Sequence, residues 1–91
     1  MTDPGLQLTP LFLEVDGVTV ELLEVSRQSI TETDVWYIVS VKIHYKGITS
    51  RTFPLFVKDT RDMVNKLKVE ITKVKFIEYV YGLTEVKRLI T

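Results

Sequence analysis

Ninety-one residues, twelve acidic against twelve basic side chains, 45% hydrophobic residues and no cysteine describe one small, electrically neutral domain. The missing cysteine excludes disulfides, thiol catalysis, iron–sulfur clusters and cysteine-ligated zinc. No apolar run reaches the ~18 residues that a membrane span needs, and Met1 to Gly5 carry no basic residue ahead of an apolar stretch, so no signal peptide is read there and the expected compartment is the cytoplasm.

The composition has no alanine, one asparagine and two glutamines beside abundant Lys and Glu, a thermophile-like balance. A chain this short buries only roughly 60–65% of its unfolded surface, which leaves a single marginal core. The charge is unevenly spread. Residues 1–40 hold seven acidic side chains and one basic one, Arg27. Residues 41–58 hold Lys42, Lys46, Arg51 and Lys58, with His44 and no acid, whereas 59–91 hold five acids and seven bases. Such asymmetry predicts a local basic patch on a neutral protein.

Residues 1–10, with two prolines and a glycine among polar residues, read as a flexible lead-in, and 11–91 as a single domain. Leu11 to Val15 and Val18 to Val25 are two β-rich runs joined by Asp16-Gly17. That pair predicts a tight hairpin, because a type I′ turn needs positive φ at both central residues. Residues 26–34 read as a polar loop. From Val35 to Lys46 the odd positions Val35, Tyr37, Val39, Val41, Ile43 and Tyr45 are all apolar. The even positions Trp36, Ile38, Ser40, Lys42, His44 and Lys46 turn basic toward the end, so the run is a strand with one apolar face. Gly47 breaks it, and Ile48 to Val57 reads as a fourth strand that Pro54 confines to an edge or a bend.

Asp59 or Thr60 then caps a helix running to about Tyr81 and stopping at Gly82. Val64, Leu67, Ile71 and Val74 make its inner stripe, and Asp62, Lys66 and Glu70 an i, i+4 charge ladder. Val69, Phe76 and Val80, extended by Leu83, make a second apolar stripe on another side. One sheet needs only one stripe, so the second is the sequence signal for self-association as a homodimer or homotetramer. Residues 83–91 are read either as a short helix starting at Thr84 or as an arm that docks on a partner. The fold class is α+β: a four-stranded antiparallel sheet followed by a long C-terminal helix packed on one face.

Enzymatic templates find no match. His44 is the only histidine, the four glycines stand apart at 5, 17, 47 and 82, and no nucleophile elbow, zinc helix or calcium loop appears. No cofactor, metal or catalytic residue is therefore expected. Glu14, Asp16, Glu21 and Glu24 read as solvated hairpin charge. The constellation with chemical content is the polar sheet face, where Trp36, Lys42, His44 and Lys46 share a parity. Arg51 and Phe53 join them if the turn at Gly47 keeps the strands in simple register. Cations that neutralise phosphates beside aromatic faces that stack on bases suit single-stranded DNA or RNA. The same residues also allow a plainer arrangement, in which Phe53 packs against the helix and the cations guard a strand edge.

The order of elements over residues 11–82, with Lys46-Gly47-Ile48 leading through the fourth strand into a helix bearing Val64 and Leu67, resembles two groups of single-stranded DNA-binding proteins. One is the positive-cofactor-four and Whirly group, the other the thermophilic archaeal proteins called ThermoDBP. The resemblance implies an oligomer whose sheets form a basic cleft, from which the acidic first hairpin departs. Two function classes follow: an oligomer binding single-stranded nucleic acid, and a protein-interaction or scaffold subunit that binds none.

Overall fold

The computed structural model describes residues 5–91, and for 6–10 the backbone path alone. Five strands form one antiparallel sheet: β1 (Leu6–Val15), β2 (Val18–Ser29), β3 (Val35–Tyr45), β4 (Ile48–Thr49) and β5 (Phe53–Val57). The order is β1-β2-β3, and β4 and β5 both pair with β3 on its far side. Helix α1 (Thr60–Tyr81) lies across one face and α2 (Leu83–Ile90) follows it. The α+β class and the antiparallel sheet with its C-terminal helix are as the sequence predicts.

Two-residue turns close both β1–β2 and β3–β4. Asp16 and Gly17 have φ of 50° and 77°, Lys46 and Gly47 of 48° and 80°, the doubly left-handed backbone that glycine adopts without steric cost. Strand β1 starts earlier than the sequence suggests. Leu6 pairs Val25 and Gln7 pairs Glu24 before the register shifts ahead of Leu11, in a stretch that contains Pro10. Part of the expected lead-in is therefore strand, and its residues 1–4 lie outside the described residues. Strand β2 carries its own bulge at Leu23, between the pairs Leu22↔Val41 and Glu24↔Ser40.

The expected fourth strand is interrupted. Tyr45 pairs Ile48 and His44 pairs Thr49, but Phe53 then pairs Val41 and Pro54 pairs Ser40, a slip of one residue. Ser50 sits at the slip and is buried. Its N–H donates to the Ile43 carbonyl at 2.8 Å, while its Oγ accepts the Ile43 N–H at 2.8 Å and donates to the Arg51 carbonyl. A side-chain hydroxyl thus stands in for a strand carbonyl, which leaves no buried donor open.

The core lies between the sheet and α1. Val15, Val18, Val20, Val39, Val41, Ile43, Leu55 and Val57 face Leu67, Ile71 and Val74. Val64 is only half buried, and Met63 and Ile77 extend the inner stripe instead. Asp59 caps α1 by accepting the Asp62 N–H at 2.8 Å, and the Asp62 carboxylate accepts the Lys58 N–H in return. That bond, with Lys66 nearby, holds the Asp62 carboxyl below the usual carboxylate range. Helix α2 settles the open question about the last residues. It turns back from Gly82, buries Val86, and its Ile90 carbonyl accepts the Arg51 N–H at 2.8 Å. No helix among the described residues is long and apolar enough to cross a membrane.

Candidate interaction surfaces

The sheet face turned away from α1 follows from the register. Reading across it, Phe12, Glu21 and Lys42 form one row and Glu14, Thr19, His44 and Thr49 the next, with Glu24, Ser40 and Pro54, then Ser26, Ile38 and Phe56 beyond the Leu23 bulge. Three of the candidate nucleic-acid residues, Trp36, Lys42 and His44, lie on this face. His44 is committed locally: Nε2 is 3.0 Å from Glu21 Oε1, Nδ1 is 3.1 Å from Thr49 Oγ1, and its ring is tilted beside Phe12. Trp36, at the far end of β3, is flanked by Lys58 Nζ and Lys66 Nζ at 4.9 and 5.3 Å from its ring. These are cation–π distances, so the indole face is already met by ammonium groups.

The other three candidates lie elsewhere. Lys46 occupies the turn and reaches around to α1, donating to both oxygens of Glu78 at 2.9 and 2.8 Å. Tyr45 donates its hydroxyl to the same carboxylate. These two donors hold Glu78 below the usual glutamate range and, through Glu78, raise Lys46. Burial first, then the Glu78 contact, raises Tyr45. Phe53 lies on the helix side opposite Val41, against the core, so the plainer sequence arrangement holds for it. Arg51 lines a small cleft with Phe53, Leu89 and Ile90 on that same side. Two causes separate these residues: Lys46 stands at positive φ in the turn and leaves the alternation of its strand, and the strand slips after it. The Ser50 bulge moves every following residue of the strand to the opposite face, since side chains alternate with a period of two. Lys42, Lys46 and Arg51 consequently point in three directions, and the continuous cationic ribbon expected from parity is not formed.

The second stripe of α1 lies as the spacing implies. Val69, Phe76 and Val80 are 53%, 64% and 48% exposed, opposite the buried Leu67, Ile71 and Val74. Past the break at Gly82, Leu83 is 37% exposed at the start of α2, and Tyr79 and Tyr81 at the end of α1 are more exposed still. One flank carries Arg61, Lys68 and Lys75, seven residues apart and so nearly in line along the helix. This row went unnoticed in sequence, although its heptad spacing was there to be counted. All four acids of the two helices are engaged: Asp62 with Lys66, Glu70 with Lys73, Glu78 with Lys46, and Glu85 with Arg88, which holds the Glu85 carboxyl low. The flank keeps its positive charge, with Lys75 Nζ tied to the Asp16 carbonyl at 2.9 Å.

A further cleft of about 410 Å³ opens where the sheet runs past the start of α1, floored by Val25, Tyr37, Val39 and Val57 and walled by Met63. Among the described residues no group of three or more His, Cys, Asp or Glu side chains could hold a metal ion. Comparison with protein families, curated proteins and solved structures finds no match to this chain.

Proposed function

We propose that this chain is a protein-interaction module that acts by assembly, with the outer face of α1 as its docking surface. The observation that carries this reading is the second apolar stripe. Val69, Phe76 and Val80 lie across the helix axis from its core-facing residues, each about half exposed or more. Isolated surface hydrophobics are ordinary, but an aligned row on a long helix that already has a full inner stripe supports a partner.

Single-stranded nucleic acid is the weaker reading. It rested on one shared basic and aromatic face, and the dispersal of Lys42, Lys46 and Arg51 removes that support. The test of assembly is the solution mass by light scattering, compared between the native chain and Phe76→Asp. The native chain should be larger than its 10.5 kDa unit mass, and the variant should fall to the unit mass while its circular-dichroism spectrum stays that of the native fold. An unchanged mass in Phe76→Asp would overturn the reading.

A further inference from the structure

Two outer surfaces of the molecule remain uncovered, and they differ in charge. The back of α1 is apolar along Val69, Phe76 and Val80 and edged by the cations Arg61, Lys68 and Lys75. The open face of the β1–β2 hairpin is apolar at Phe12, 54% exposed, and edged by Glu14 and Glu24, while Glu21 is held by His44 beside Lys42. Sheets more often have both faces covered when they carry large apolar side chains on each, and here Phe12 and Phe56 on the open face have no layer over them among the described residues.

We infer that these two surfaces are each other's partner in successive copies of the chain: the outer face of α1 in one copy seats on the open β1–β2 face of the next. This deepens the reading of α1 as a docking surface and rests on it. Charge decides between this and the simpler two-fold seam. An antiparallel helix-to-helix dimer would bring the Arg61, Lys68 and Lys75 rows of the two copies together, and like charges in close juxtaposition oppose association. Seating α1 on the hairpin puts those cations over Glu14 and Glu24 instead. It also stacks the layers as sheet, helix, sheet, helix, so each open face gains the cover it lacks. Such a contact is heterologous. The two patches lie on opposite sides of the molecule, so the assembly extends into a ring or an open stack and does not stop at a pair.

The experiment uses two full-length variants, each with one surface spoiled at an exposed position: Phe76→Asp on the helix and Phe12→Asp on the hairpin. Each alone should run at the unit mass of 10.5 kDa. Mixed in equal amounts they should form a complex of twice that mass and nothing larger, because one sound surface of each kind remains. Lys68→Glu with Lys75→Glu, and separately Glu14→Lys, serve as second variants should an Asp substitution disturb folding. Both should lower the assembly mass, and raised salt should lower it in the native chain. Loss of assembly in Phe76→Asp with none in Phe12→Asp or Glu14→Lys would leave α1 as the docking surface but overturn the head-to-tail contact in favour of the two-fold seam. A native chain at unit mass at all concentrations would overturn both. A native chain that stays at unit mass yet binds anionic phospholipid vesicles would overturn both in favour of a membrane interface, which also accepts an apolar face rimmed by lysine.

Discussion

The inner and outer stripes of α1 are built from the same residue types on the same twenty-two-residue helix, yet one is closed and the other open. Leu67, Ile71 and Val74 meet the sheet and have almost no accessible surface, whereas Val69, Phe76 and Val80 stay about half exposed or more. Hydrophobicity alone therefore does not say what a stripe is for. What separates them is their surroundings: the inner stripe is covered by the sheet, with Glu78 at its margin bound to Lys46 and Tyr45, and the outer one is flanked on one side by Arg61, Lys68 and Lys75, which form no ion pair among the described residues.

The largest expected effect tests the inner side. Ile71→Ala removes a fully buried side chain and leaves a cavity, and should cost about 2–5 kcal/mol in chemical denaturation. A loss no greater than that of an exposed substitution would mean that the stripe is not core. Next comes Ser50→Ala, which deprives the buried Ile43 N–H of its acceptor and should cost about 1–3 kcal/mol. If Ser50→Ala were neutral, the hydroxyl would not be what holds the strand slip in place.

A smaller effect lies at the margin between the stripes, where Glu78 receives Lys46 and Tyr45. The fold lowers the Glu78 carboxyl, so its contribution is whole above the glutamate range of the unfolded chain and is lost as pH falls through the lower folded value. Melting curves followed by circular dichroism should thus show a steeper acid-side decline for the native chain than for Glu78→Gln. The remaining slope in the variant comes from Asp62 and Glu85, which are lowered in the same direction. Parallel declines would remove Glu78 from the account.

On the outer side, Phe76→Asp should change the stability of the unassembled chain, measured at high dilution, by no more than about 0.5 kcal/mol, as befits a surface position. A large loss would show that the outer stripe is structural in the single chain. The smallest expected signal is with nucleic acid. Fluorescence anisotropy of a labelled single-stranded oligonucleotide should show no steeply salt-dependent binding, and tight binding at low salt would restore the reading that the dispersed cations weaken.

Much of this architecture could be read from the residues. Asp16-Gly17 marks its hairpin, the alternation from Val35 to Tyr45 marks a half-buried strand, and Asp59 and Gly82 bracket a helix with two stripes. These signals are local, and each is carried by a few neighbouring side chains. The candidate site fared differently because it depended on register beyond the second turn. Both turns have the same backbone, but the strand after Asp16-Gly17 holds its pairing as far as Leu22, whereas that after Lys46-Gly47 slips at Ser50 within three residues. Nothing in Ile48-Thr49-Ser50-Arg51 distinguishes a serine that takes a strand amide from one that faces water. Parity therefore placed Arg51 and Phe53 on the wrong side. Lys46 was misplaced for a related reason, since a residue with positive φ in a turn no longer follows the alternation of its strand. The return of α2 across the sheet margin was equally hidden, because it depends on a long-range bond from Arg51 to Ile90.

That bond has a consequence for behaviour at high concentration. At the β5 margin three devices deny a newcomer strand its footing: Pro54 offers no amide, Lys66 takes the Phe56 carbonyl, and the last turn of α2 takes the Arg51 amide. A chain clipped at Gly82 would lose the third, and its crowded solutions would then be free to grow fibres sideways through hydrogen-bonded ribbons.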